Sequence, residues 1–178
     1  MATAQMGLTP EFVTAYRDMM LMSLSNELEL TRKVLAAIPD GQRDYRPDPH
    51  ARTCWELASH IAKVDIQLAD GIADLKFGME DESNQQPKTS SQLANWYGKE
   101  LTRALGRVRL MSAAQLLTPI DFYGVLNLPA VLYLALFNNH SVHHRGQLST
   151  YLRPMGSKCP SIYGGSYDEP WQGAARDE

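Results

Sequence analysis

Apolar residues recur at three- and four-residue steps through four long stretches of the chain, the spacing that lines up one face of an α-helix. The first stretch runs through Tyr16, Met20, Leu24, Leu28, Thr31, Leu35 and Ile38. Thr9-Pro10-Glu11 opens it with a capping hydroxyl, a proline at the first helical position and an acid in the first turn, and Pro39-Asp40-Gly41 closes it. The second carries Leu57, Ile61, Val64, Leu68, Ile72 and Leu75 behind Thr53 and Glu56, which are spaced as a capping box. The third carries Leu93, Tyr97, Leu101, Ala104, Val108 and Met111 behind Thr89 and Gln92, and fades near Ser112. The fourth is predicted to open at Pro129 and to close near Met155-Gly156, where glycine can take a left-handed cap.

The segments between these stretches read as connections. Residues 39–52 hold Pro39, Pro47 and Pro49 among charged side chains, and residues 77–90 hold Gly78, Pro87 and the acidic run Glu80-Asp81-Glu82, which suits a solvated loop. A short turn from Ala113 to Leu117 leads to a weakly signalled extended hairpin around Tyr123-Gly124. Residues 1–8 read as a frayed tail, and the segment after Lys158 either crosses the helices or hangs loose.

Four amphipathic helices bury their apolar stripes most simply as an all-α four-helix bundle. The 178 residues fit one domain, with a core over about residues 9–156 and a tail over 157–178, enough to bury about two-thirds of the unfolded surface. With 17 basic against 20 acidic side chains and a net charge of −3, the chain has no polybasic footprint, so nucleic acid is a poor partner. Cys54 and Cys159 are too few for a disulfide framework, and a reducing cytoplasm is the expected compartment. The apolar run from Leu128 to Phe137 falls well short of the roughly 20 residues that span a bilayer, and residues 1–9 lack the pattern of a secretory signal, so no membrane association is expected.

The chemistry concentrates late in the chain. Asn139-His140-Ser141-Val142-His143-His144-Arg145-Gly146-Gln147 holds three of the five histidines. His140 and His144 stand one turn apart on the stripe Leu132, Leu136, His140, His144, Leu148, Leu152, so both rings point toward the expected core and can reach one metal ion. Two ligands hold a divalent ion poorly, and His60, beside the apolar face of the second helix, is the candidate third.

The competing readings are structural. A histidine on an apolar stripe also serves as a hydrogen-bonded core residue, and His143 points about 100° away from His144, toward an outer-sphere or surface role. Glu56 either completes the capping box, the better fit, or orients His60 or acts as an acid or base. Cys54, near a helix start, could have a lowered pKa, but lies about 240° around the helix from His60. Arg145 either binds an anionic substrate group or fixes a carboxylate across the bundle. Phe137 and Tyr151 read as core or as walls of a substrate pocket.

The combination of Trp55-Glu56-Leu57-Ala58-Ser59-His60 with His140-Ser141-Val142-His143-His144-Arg145-Gly146-Gln147-Leu148, then Tyr151-Leu152-Arg153 and Pro160, resembles the DinB-like (YfiT-like) superfamily. The resemblance extends from the first helix to about Tyr163 and is specific around His60 and in the last helix. It implies a four-helix bundle whose three histidines, here His60, His140 and His144, hold a divalent metal, often nickel or zinc. Relatives of this kind include metal-dependent transferases and isomerases that use low-molecular-weight thiols such as bacillithiol or mycothiol.

Two functions follow as expectations. One is a metal-dependent enzyme, with thiol S-transferase-like or hydrolase-like chemistry on a small electrophilic substrate. The other is a non-catalytic, metal-stabilised bundle acting through partner binding or as a homodimer, for which Met19, Met22 and Leu30 beside the first helix's main row supply apolar surface.

Overall fold

The computed structural model describes residues 7–78 and 87–171. The expected solvated run Glu80-Asp81-Glu82 and most of the expected N-terminal tail lie outside the described residues. Four long helices form the frame: α1 (Pro10–Ala36), α2 (Cys54–Asp74), α3 (Ser90–Arg109) and, after the short α4 (Ala113–Leu117) and a hairpin of β1 (Pro119–Phe122) and β2 (Leu126–Pro129), α5 (Tyr133–Leu152). The class is all-α, a helical bundle with little strand.

Local chemistry sets the helix starts. The Thr9 hydroxyl accepts from Phe12 N–H with Pro10 at the first position, and Thr53 and Glu56 form both halves of a capping box. Thr89 caps α3 through Gln92 N–H, while the Gln92 side chain accepts from Lys88 N–H. The connection after α1 supplies further acceptors, with Tyr45 and Arg43 carbonyls receiving the Cys54 and Trp55 N–H groups.

α1 packs on α3 and α5, and α2 packs on the same two helices, so the consecutive helices α1 and α2 lie diagonally opposite. Cross-helix pairs give the directions. Residue numbers rise together from Ser23–Asn138 to Thr31–Ser141 and from Asp65–Tyr97 to Asp74–Arg107, and run oppositely between Asp65–His140 and His60–His144. α1 and α5 therefore point one way, and α2 and α3 the other. Leu24, Leu57, Ile61, Leu101, Phe137 and Leu148 are among the buried apolar side chains between them.

Two local expectations change and a third is met. The turn at 113–117 is one turn of helix, because Ser112 and Gln115 complete a capping box of their own. The weakly signalled hairpin forms, with Tyr123 and Gly124 both left-handed at φ 54° and 72°, as a type I′ turn requires. Pro129 does not open the last helix. It ends β2 opposite Pro119 with an extended ψ of 138°, and a 3-10 turn over Ala130–Leu132 leads into α5. Gly156, at φ 78°, closes the far end, where Ser157 N–H reaches back to Leu152 C=O.

The hairpin is tied to the end of α2 by aromatic contacts of Phe77 with Phe122 and Tyr133. The Tyr133 hydroxyl donates to the Ile120 carbonyl inside the hairpin.

Candidate metal centre

His60 reaches the site from α2, on a turn held by buried Leu57 and Ile61; His140 and His144 reach it from α5, between buried Phe137 and Leu148. Between Phe137 and Leu148 the buried positions of α5 are Ser141 and Arg145, so the two histidines sit at the α2–α5 seam rather than in the bundle centre. All three histidines are half-buried.

Their inner edges converge. His60 Nε2 lies 3.2 Å from His140 Nε2 and 3.3 Å from His144 Nε2, and one ligand atom from each of the three lies within 4.8 Å of the others. Two nitrogens bound at about 2.0–2.1 Å to one cation lie about 2.8–3.4 Å apart for angles between right and tetrahedral. The spacing fits a shared ion.

The outer edges agree with that fit. His140 Nδ1 contacts Asp65 Oδ1 at 2.9 Å, and His144 Nδ1 contacts Gln147 Oε1 at 3.2 Å. Both oxygens can only accept, so each ring spends its Nδ1 proton there and presents an Nε2 lone pair inward. His60 Nε2 faces both and has at most one proton to give, which leaves facing lone pairs unmatched. A cation among the three resolves this, and the donor set of imidazoles suits a divalent first-row metal.

Burial, then Arg52, His140 and His144, push His60 down to about 4, and burial is the first cause lowering His144 as well. Near neutral pH His60 is therefore unprotonated, the form that ligates metal.

The Tyr151 hydroxyl donates to the Arg52 carbonyl at 3.4 Å, and Tyr151 and Phe137 are both buried. His143 is exposed with its ring 4.8 Å from that of His144, at the rim.

Other candidates are committed elsewhere. The Glu56 carboxylate accepts from Thr53 N–H at 2.7 Å, and hydrogen bonds from Thr53 hold its pKa down; it works as the cap. Arg145 turns toward α1, where it pairs with Glu27 and donates to the Glu27 carbonyl and the Tyr163 hydroxyl. The Cys54 pKa is raised, not lowered: burial pushes the thiol up to about 11.

The family model of the DinB family matches residues 5–176. The chain belongs to the DinB family. It is 25% identical over 153 residues to the Bacillus subtilis protein YrdA, across 85% of this chain and 90% of that one. The crystal structure of a DinB-like protein from Bacillus cereus is similar with a TM-score of 0.68 at 28% identity, covering 81% of this chain and 95% of the other. That of the DinB-like protein YjoA from Bacillus subtilis has a TM-score of 0.69 at 20% identity, covering 81% and 97%, a likeness of fold.

In this DinB-family chain the residues that sequence reasoning missed stand behind the histidines. Asp65 is fully buried and accepts from the Tyr97 hydroxyl at 2.9 Å as well as contacting His140. A signal existed: Asp65 falls in register with Ile61, Ala62, Leu68 and Ile72, a charge on the core stripe of α2. Gln147 lies three residues after His144, a spacing that carries no such mark.

Proposed function

We propose that this chain is a divalent-metal-dependent enzyme in which His60, His140 and His144 hold the ion and a small electrophile is attacked by a thiol or water. The observation that carries the reading is the convergence of three Nε2 atoms, from two helices, at a half-buried seam. Three protein ligands leave coordination positions open, as catalytic rather than closed structural sites do. A divalent cation, zinc or nickel by donor type, lowers the pKa of a thiol or water ligand toward neutrality and so supplies the nucleophile.

The chain's own residues would do the rest. Asp65 and Gln147 hold the rings of His140 and His144 with Nε2 inward, and the buried Phe137 and Leu148 stiffen α5 behind them. Arg52, whose charge acts on both His60 and His144, would attract an anionic thiol or substrate to the rim. The expected setting is cytoplasmic, with a low-molecular-weight thiol as co-substrate. The test is a panel of thiol-conjugation and ester-hydrolysis assays on zinc- and nickel-loaded protein. Turnover lost in His140→Ala supports the reading, and no turnover above that variant with any pair counts against it.

A second reading rests on α1, where Phe12, Met19 and Met22 are exposed. On it, the cation only ties α2 to α5 and the apolar face of α1 mediates dimerisation. Chelation that lowers the melting temperature, with a homodimer in light scattering and no turnover, favours this reading.

A further inference from the structure

Asp65 is an acidic side chain wholly buried on the apolar stripe of α2. Its oxygens meet two donors, the Tyr97 hydroxyl at Oδ2 and His140 Nδ1 at Oδ1, each at 2.9 Å. Its only ion pair among the described residues is the one to His140, with no arginine or lysine pair among them. A buried carboxylate in such surroundings is costly unless positive charge lies close by. A place for that charge is the far edge of the His140 ring, where the three Nε2 atoms converge.

Tyr97 is built to hold this carboxylate. It is fully buried, and its hydroxyl donates to Asp65 Oδ2. His144, by contrast, is backed by neutral, exposed Gln147. The two α5 histidines are thus supported unequally, one by a buried acidic side chain and one by an amide.

We propose that Asp65, held by Tyr97, is a positioning residue that fixes His140 with Nε2 aimed at the cation and offsets one of the cation's positive charges. This rests on the three-histidine reading above. An anionic partner on the outer ring nitrogen raises the basicity of the ligating one and locks its tautomer, and loss of such partners weakens metal binding by about 10–100-fold.

The test is calorimetric titration of zinc, with the visible absorption of the cobalt-loaded protein as a second readout, on the wild-type chain, Asp65→Asn, Asp65→Ala, Tyr97→Phe and Gln147→Ala. Asp65→Asn keeps the shape and drops the charge, and should bind about 10-fold more weakly, with Asp65→Ala approaching about 100-fold and the cobalt bands shifted in both. Tyr97→Phe, which leaves Asp65 in place without its second donor, should bind several-fold more weakly and carries the test if the Asp65 variants do not fold. Gln147→Ala should lose less than Asp65→Asn. A role in stability alone would leave the bands of the folded variants unmoved. Wild-type affinity and unshifted bands in the folded variants overturn the role of Asp65 alone, whereas a wild-type chain that binds no zinc overturns the three-histidine reading and this proposal with it.

Discussion

His60 and His140 stand 80 residues apart in sequence, yet their Nε2 atoms lie 3.2 Å from each other across the α2–α5 seam. Antiparallel packing of the two helices creates this contact, and the i, i+4 spacing of α5 then adds His144. Every expectation about chemistry in this chain depends on that juxtaposition.

The protonation of His60 sets the first expectation. Its pKa in the folded chain falls to about 4 from an ordinary value of 6.5, chiefly through burial. The unfolded chain therefore binds the extra proton between those two values, so metal-free stability drops as pH falls through that window. Urea midpoints measured at about pH 7.5 and about pH 5 should show the fall, and it should shrink in His60→Gln. An equal fall in the variant would remove His60 as its source.

Arg145 sets the second. It is 1% exposed and its charge is met by Glu27, with the Tyr163 hydroxyl bridging from the C-terminal segment to both. Glu27→Ala leaves the guanidinium buried and uncompensated, which should cost about 3–5 kcal/mol in chemical denaturation. Glu29→Ala, which breaks an exposed pair with Arg32, should leave the midpoint almost unchanged. Similar losses in the two variants would contradict the buried-pair account.

Much of this was legible in the sequence because it is written in local periodicity. The apolar rows of α1, α2 and α3 and the caps at Thr9 and Thr53 give those helices within a few residues. The start of α5 is not legible locally, because Pro129 suits a first helical turn and a strand end equally, and only its pairing with Pro119 decides. Even His60 was locatable, as a polar ring beside an apolar row. The supports behind the rings were not: Asp65, Tyr97 and Gln147 come from three helices, and nothing local says which histidine a carboxylate on another helix will meet.

Gly71 sets the third expectation. A Cβ there would run into the Phe77 ring, which packs edge-on against Phe122 and Tyr133 and so joins the hairpin to α2. Gly71→Ala should displace that ring and cost about 1–3 kcal/mol. Thermal melts check this, and a gain in stability from the better helix former would show that Phe77 yields freely.

The metal itself sets the fourth. A bound divalent ion stabilises the folded chain by mass action, so zinc or nickel should raise the melting temperature in proportion to the logarithm of its excess over Kd. His144→Ala should abolish the rise, while Glu56→Gln, altered only at the cap, should keep it. A rise that survives in His144→Ala would place the ion elsewhere.

The most direct measurement is anomalous diffraction at the zinc edge from zinc-soaked crystals. One peak about 2.0–2.1 Å from the Nε2 atoms of His60, His140 and His144 is the expected result. A map with no peak among these three nitrogens, or with the zinc bound at a different place, would contradict the account.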